Sequence, residues 1–282
     1  MCICFLFADA MLIGFRNLAN QVRTLGASWE SASTPFIKFV GERAIAHVGV
    51  LEIPLQVMGQ ARRAAGIHGV ATHPDFRRQG HYRACMEAAL AYAEPRYDTL
   101  LLTTEQPELY EPFGFRVVPE SRFEVMEETI ASLQSVQPSQ STDLRRLDLE
   151  KERDRHLLLQ AIETRIPVSN IVGVYPEKAL FLFNEVGRSL YYSEALNAIL
   201  DLSWEEATLH LFELVSSREI SLREILQVIS QRVEAVVIYW SGDRLQIPAH
   251  PVSHVLEEAH LMVKGSFPAE GQAFMLPRSA RC

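Results

Sequence analysis

Apolar runs rich in β-branched residues, separated by short polar turns, make up the first part of this chain. FIKFV (36–40) and AIAHVGVLEI (44–53) flank the turn GER, which predicts a β-hairpin, and IHGVATH (67–73) predicts a third strand. Alanine, leucine and methionine dominate residues 79–94, which predicts a helix that ends before Pro95. The pattern therefore begins with three strands and a helix.

The next residues extend this order to β-β-β-α-β-α-β-β. DTLLLTTE (98–105) predicts a buried strand, PELYEPF predicts a short helix, and GFRVVPE and SRFEVME predict two closing strands. We therefore predict an α/β (α+β) fold, with helices that flank the strands.

A polar stretch, QSVQPSQSTD at 134–143, has the composition of a linker between two periodic regions. It predicts a first domain at 1–133 and a second α/β domain at 144–282. The strand-helix-strand order of residues 67–105 recurs at 209–240, but no glycine lies between Gly187 and Gly242. The second domain is thus predicted to be a degenerate repeat or an accessory module without a second phosphate site.

Composition and charge exclude several classes of protein. Hydrophobic residues make up 48% and charged residues 22% of the 282 residues, as in ordinary globular proteins. The net charge of -8 gives no broad positive field, so we expect no nucleic-acid partner. The apolar start, MCICFLFADAMLIGF, lacks a basic region and is too short to span a bilayer, so we expect it to form core, with no membrane partner. Four cysteines at unpatterned spacings favour reduced thiols in the cytoplasm and no metal site.

The stretch GVATHPDFRRQGHYRACMEAAL (69–90) carries the candidate chemistry, because a strand leads through a glycine-containing turn directly into a helix. The first N–H groups of a helix have no intrahelical partner and lie at the positive end of its dipole, so they bind a pyrophosphate through the main chain. A β-carbon at Gly80 would keep phosphate oxygens from these amides. Arg77, Arg78 and Arg83 would add positive charge beside the anion.

This stretch resembles the acetyl-CoA-binding motif of the GNAT acetyltransferase superfamily, in which an apolar strand and a proline precede Arg/Gln-x-x-Gly-x-Gly/Ala. The matching residues are Val70, Ala71, Thr72, His73 and Pro74, then Arg77, Arg78, Gln79, Gly80, His81 and Tyr82. Tyr82 stands where many members have Gly or Ala, and this form is similar to the enhanced-intracellular-survival subgroup. Residues 105–115, with Tyr110-x-x-x-Gly114-Phe115, are similar to a second signature of the superfamily.

The resemblance covers residues 36–128 and implies a mixed sheet that is splayed between the strands 67–73 and 98–105. It implies that the pantetheine arm of acetyl-CoA pairs with Val70 and Thr72, that Ala71 between them also binds the cofactor, and that residues 77–83 surround the phosphates. An N–H group near Val70 would stabilise the oxyanion, and Tyr110 would act as the general acid.

The general base is left open by the sequence. Gly66 occupies the strand position where related enzymes often carry Glu, and His68, two residues further on the same strand face, is the candidate by alternation. Glu105, a relayed water and an amine that arrives neutral are alternatives. By analogy with the terminal carboxylates of the enhanced-intracellular-survival subgroup, Cys282 could also reach the first site.

The resemblance implies an N-acetyltransferase that moves an acetyl group from acetyl-CoA, as co-substrate, to a primary amine of a small molecule or peptide by direct attack. The alternative is a non-catalytic acyl-CoA-binding or interaction protein: Gly66 and Tyr82 favour it, whereas Tyr110 favours the enzyme. The second domain would narrow the acceptor cleft or mediate a homodimer. The identity of the acceptor does not follow from the sequence.

Overall fold

Two mixed sheets flanked by helices organise the chain in the computed structural model, which describes residues 9–134 and 143–282. The α/β class predicted from the sequence is confirmed. Two predictions fall largely outside the described residues: the core-forming role of the apolar start at residues 1–15, and the linker at residues 134–143.

The elements up to residue 134 include the predicted hairpin, the third strand and the helix of the glycine turn. In chain order they are α1 (Asp9–Thr24), α2 (Trp29–Ala32), β1 (Ser33–Val40), β2 (Arg43–Val57), β3 (Gln60–Thr72), α3 (His81–Ala93), β4 (Thr99–Thr104), β5 (Arg116–Val117), β6 (Ser121–Val125) and α4 (Glu127–Gln134). The predicted short helix at PELYEPF is two 3-10 turns, Pro107–Leu109 and Glu111–Phe113, and the second ends at Gly114 in the left-handed conformation.

The elements after residue 143 include the predicted strand-helix-strand unit. In chain order they are β7 (Leu144–Arg146), α5 (Glu152–Thr164), β8 (Val172–Val174), α6 (Lys178–Glu185), β9 (Leu190–Ser193), β10 (Ala198–Glu205), β11 (Thr208–Val215), α7 (Leu222–Gln227), β12 (Ala235–Ile238), β13 (His250–Ser253) and β14 (His260–Gly265). Strands β11 and β12 are parallel, and α7 between them begins with a capping box formed by Ser221 and Glu224.

The first sheet has the order β1-β2-β3-β4-β14-β5, with β8 paired to the end of β2. Helix α3 packs on one face through Cys85, Met86 and Ala89, in a cluster with Ile67 and Leu102. The opposite face forms a separate core that includes residues from the last part of the chain. The sheet is therefore covered on both sides, as mixed sheets with a parallel pair usually are.

The second sheet has the order β13-β6-β12-β11-β10-β9-β7. The sequence pattern predicts β6 as a closing strand of the first half, but β6 pairs with β12 and β13, because its Phe123 and Val125 belong to the core of the second sheet. In exchange, β14 lies between β4 and β5 in the first sheet. The first sheet thus includes β8 and β14 from after the boundary predicted at 134–143, and the second includes β6 from before it. The division into domains stays a prediction.

Candidate active site

Strands β3 and β4 separate at the centre of the first sheet. They pair in parallel over only three positions, from Ala64 with Thr99 to Gly66 with Leu101. Beyond them β3 continues to Thr72 and β4 to Thr104 without pairing to each other. This opening lies where the sequence resemblance implies the splay.

A β-bulge on β3 marks the start of the opening. His68 pairs with Gly49 and Ala71 with His47, so Gly69 and Val70 together stand against Val48. Gly69 has a φ of 58°, a conformation that favours glycine, and such bulges bend a strand and change its twist. The bulge therefore redirects the main chain of Val70, the residue predicted to lie beside the thioester.

His47 holds this bulge in place from the neighbouring strand. Its Nδ1 donates a hydrogen bond of 2.7 Å to the main-chain oxygen of Gly69. Burial lowers the pKa of His47, against a raising contribution from this bond, so the ring is neutral at physiological pH. His47 is not among the residues predicted from the sequence, because a histidine within an apolar strand gives no signal for a contact that depends on the bulge.

The glycine turn leads from β3 into α3. A 3-10 turn at Pro74–Phe76 follows the strand, and Gly80 at the N-cap of α3 has a φ of 80° in the left-handed region. No heavy atom lies within 4 Å of the position that a β-carbon of Gly80 would take. The first turn of α3 is therefore open to an anion, as the sequence predicts.

A cavity of about 900 Å³ joins this turn to the splayed strands. Ten of the predicted site residues line it: Val70, Ala71, Thr72, Arg77, Arg78, Gly80, His81, Tyr82, Arg83 and Tyr110. Phe76, Thr104, Gln106 and Leu109 complete the lining. Gln79 and His68, which were also predicted, do not line it; Gln79 instead donates from its side chain to the main-chain oxygen of Asp75.

Three of the arginines that line the cavity are exposed to solvent. Arg77, Arg78 and Arg83 are exposed, and Arg77 donates from Nε to the main-chain oxygen of Thr72 over 3.3 Å. Arg83 lies 3.8 Å from Glu87 and over the ring of Phe113. Exposed pairs of this kind are weak, so the guanidinium groups are free to reorient toward a phosphate.

Tyr110 is buried at the other end of the cavity. Its ring packs edge to face with Tyr82 and Phe115. Burial raises the pKa of Tyr110, while the side chain of Thr104 has the opposite effect. The phenol is therefore protonated at physiological pH and has a proton to donate.

His68 lies outside the cavity, in a stack of three rings. It packs against Trp29, which packs in turn against Phe183, and its Nε2 is 2.6 Å from the Oγ of Ser33. Burial, and secondarily the nearby His47, lower the pKa of His68 to about 4. The ring is neutral at physiological pH, and one of its nitrogens is already engaged by Ser33.

Cys282 reaches the opening between the strands. Its main-chain oxygen accepts hydrogen bonds from the N–H and the Oγ1 of Thr103, over 2.9 and 2.8 Å.

Among residues 9–134 and 143–282, no three His, Cys, Asp or Glu side chains are grouped to hold a metal ion. Within the same ranges, no helix combines the length and the apolar character that crossing a bilayer requires.

Several solved structures are similar to this fold at low sequence identity. A GCN5-related N-acetyltransferase from Kribbella flavida is 20% identical, with a TM-score of 0.52 over 92% of this chain and 64% of that one. A protein from Enterococcus faecalis, described as a probable N-acyltransferase, is 15% identical, with a TM-score of 0.55 over 93% and 67%. Eis1 from Mycobacterium abscessus is 13% identical, with a TM-score of 0.52 over 91% and 72%.

These structures support the fold alone, and the chain spans about two thirds of the length of each. No curated protein matches the sequence. Residues 13–118 match the family model described as an acetyltransferase (GNAT) domain. The match covers the splayed strands, the glycine turn and Tyr110, so the resemblance drawn from the two motifs is confirmed for this part of the chain, which is similar to a GNAT acetyltransferase domain.

Proposed function

We propose that this domain binds acetyl-CoA in the cavity at residues 70–83 and transfers the acetyl group to a primary amine. The observation that carries the proposal is that one cavity joins an anion-binding turn, a splayed strand edge and a buried, protonated tyrosine. Each of the three has a different part in acyl transfer from a long, phosphate-bearing donor.

The phosphates would lie at the turn. The amides of the first turn of α3 supply donors, and Gly80 lets phosphate oxygens approach them. Arg77, Arg78 and Arg83 are exposed around the same opening, where they would pair with the pyrophosphate or the 3'-phosphate. Positively charged side chains at the N-terminus of a helix are repelled by the positive end of the helix dipole. An anion bound there therefore stabilises this arrangement.

The acyl end would lie along β3. Pantetheine carries amide groups that would pair with the main chain of Val70 and Thr72 beside the opening, as an added strand does. The amine would attack the thioester carbonyl, the oxyanion would be stabilised near the N–H of Val70, and Tyr110 would donate its proton to the departing thiolate. Holding both substrates in one cavity supplies much of the rate.

The proton of the attacking amine requires an acceptor. His68 is neutral, but it lies outside the cavity and is engaged with Ser33. An amine that arrives neutral, or a water that relays the proton to solvent through the open side of the cavity, therefore fits this site better than direct abstraction by His68.

Calorimetric titration of acetyl-CoA tests the binding step. The intact chain should bind with a Kd in the range of about 1 μM to 1 mM that is usual for enzyme substrates, and Gly80→Glu should abolish binding. Gly59→Glu is the matched control, because Gly59 also has a positive φ and open space around it but lies in the turn between β2 and β3, away from the cavity. No binding by the intact chain would overturn the proposal.

Release of free thiol tests the transfer step. With acetyl-CoA and a panel of primary amines, the enzyme should release coenzyme A and form the matching amide. Binding that is lost in Gly80→Glu, but no thiol release with any amine, would favour the non-catalytic acyl-CoA-binding protein instead.

A further inference from the structure

The base of the opening between β3 and β4 is occupied by a residue from the far end of the chain. Leu101 is the last residue of β4 that pairs with β3, opposite Gly66. The N–H groups of successive residues in a strand point to alternate sides. The N–H of Thr103 therefore points to the same side as the N–H of Leu101, which is the side of β3. That N–H does not bond to β3; it donates to Cys282.

Gly66 and Cys282 fit each other. A β-carbon built on Gly66 would overlap the Sγ of Cys282 and come within 3.2 Å of its β-carbon. The same Sγ lies 4.0 Å from the main-chain oxygen of Leu101. The thiol thus occupies the space that a side chain at position 66 would need, which explains why this strand position carries glycine.

Buried ion pairs fix the segment that ends in Cys282. Arg281 donates from Nη2 to both carboxylate oxygens of Glu120, over 2.7 and 2.8 Å, and Asn184 donates to the main-chain oxygen of Arg281. Arg278 is paired with Glu185 over 2.7 Å and also with Asp201. Charges removed from water hold their geometry only while they stay paired, so these contacts restrict the segment to one position.

We propose that Cys282 is a wedge that keeps β4 apart from β3, and thereby a positioning residue for the acyl donor. Its main-chain oxygen accepts the hydrogen bond of the N–H of Thr103, the next donor of β4 on the side of β3. The parallel pairing of the two strands therefore ends at Gly66 and Leu101. The edge of β3 at Val70 and Thr72 then stays open. The effect on acetyl-CoA rests on the proposed function, whereas the position of the wedge does not.

A disulfide trap tests the position by itself. In Gly66→Cys the new thiol lies beside the thiol of Cys282, so mild oxidation with glutathione disulfide should remove two thiols. Peptide mapping should then join residues of β3 to residues 278–282. Asp98→Cys, near the start of β4, is a control that should not link to Cys282. Failure of Gly66→Cys to link would overturn the wedge, whatever the protein binds.

Titration with acetyl-CoA tests the effect of the wedge. Gly66→Ala should displace Cys282 and weaken acetyl-CoA binding by about tenfold, a difference that calorimetry resolves readily. Adding Cys282→Gly to Gly66→Ala vacates the space for the new methyl group and should restore affinity to within about threefold of the intact chain. Gly187→Ala, where nothing lies within 4 Å and φ is not positive, should bind like the intact chain.

The outcomes separate the two proposals. If the trap closes but Gly66→Ala binds as the intact chain does, the positioning role is wrong. If the trap closes and the intact chain binds no acetyl-CoA, the proposed function fails while the wedge is supported as a feature of the sheet. If Gly66→Ala does not fold, recovery of the fold by the double variant supports the same overlap, and failure of the double variant contradicts it.

Discussion

The hydroxyl of Tyr82 donates a hydrogen bond of 2.8 Å to the main-chain oxygen of Leu109, the residue that precedes Tyr110. This bond joins the first turn of α3 to the segment that carries the proposed general acid. Tyr82 also packs edge to face against Tyr110 and Phe113. The larger residue at this position of the motif thus supports Tyr110 from the side of the phosphate site.

Loss of this bond should lower turnover more than affinity. A neutral hydrogen bond contributes about 1 kcal/mol, so Tyr82→Phe should reduce kcat by about fivefold through looser placement of Tyr110. The KM for acetyl-CoA should change less. Tyr97→Phe, in which the lost hydroxyl faces Glu52 outside the cavity, is the control. Equal losses of kcat in the two variants would contradict the link.

Removal of the proposed acid should be tested with leaving groups of different basicity. Tyr110→Phe should reduce kcat with acetyl-CoA by about 10²-fold, the lower end of the range for general acid catalysis. The deficit should shrink for an acetyl thioester whose thiol has a lower pKa, because a weaker base departs without a proton. A deficit that is the same for both donors would show that Tyr110 acts only through packing.

The arginines should be distinguished by the phosphate they meet. Arg78→Ala and Arg83→Ala should each weaken binding of acetyl-CoA, and a residue that pairs with the 3'-phosphate should lose less affinity for 3'-dephospho-acetyl-CoA. Both effects should decrease at high ionic strength. Arg96→Ala, in an exposed arginine beyond the end of α3, should bind both donors as the intact chain does. Equal binding of acetyl-CoA by all three variants would show that Arg78 and Arg83 do not contact its phosphates.

His68 should make the fold sensitive to acid. Its pKa is about 4 in the folded state, against 6.5 for a histidine in water, so between these values the unfolded chain binds the extra proton. The contribution of neutral His68 to the free energy of unfolding is fully present above pH 6.5. It is lost as the pH falls toward 4, and the total loss is about 3 kcal/mol. Asp201, whose pKa burial raises to about 7, makes the free energy of unfolding change with pH in the opposite direction. The contribution of His68 must therefore be measured as a difference between two proteins.

That difference is between the intact chain and His68→Gln, whose amide can keep a bond to Ser33. Urea unfolding from about pH 4 to pH 7 should show the free energy of unfolding of the intact chain falling more steeply toward acid than that of the variant. Parallel curves would mean that His68 is not a buried neutral base in the folded protein.

The buried pair of Arg281 and Glu120 should matter more to stability than an exposed pair. Glu120→Ala leaves a buried guanidinium without its partner, which should cost about 3–5 kcal/mol. Glu270→Ala removes the partner of Arg116 at the surface and should cost less than about 1 kcal/mol. Urea midpoints of the two variants measure both, and similar costs would contradict the buried anchor.

Local pattern was sufficient for much of the candidate site. The strand-turn-helix around Gly80 is specified by neighbouring residues: β-branched residues before Pro74, glycine at a left-handed position and helix formers after it. Ten predicted residues consequently line one cavity. His68 was placed on the correct strand, but strand alternation does not indicate that a ring from α2 and a hydroxyl from β1 enclose it.

The sequence by itself determined the α/β class, the glycine turn and the segment that carries Tyr110, because these depend on contacts between residues close along the chain. Only the tertiary structure decided that β6 and β14 exchange sheets and that Cys282 lies against Gly66. The bond from Thr103 to Cys282 spans 179 residues, and its partner is selected by the packing of both sheets. Periodicity specifies which face of a strand is buried, but it does not specify which distant segment covers that face.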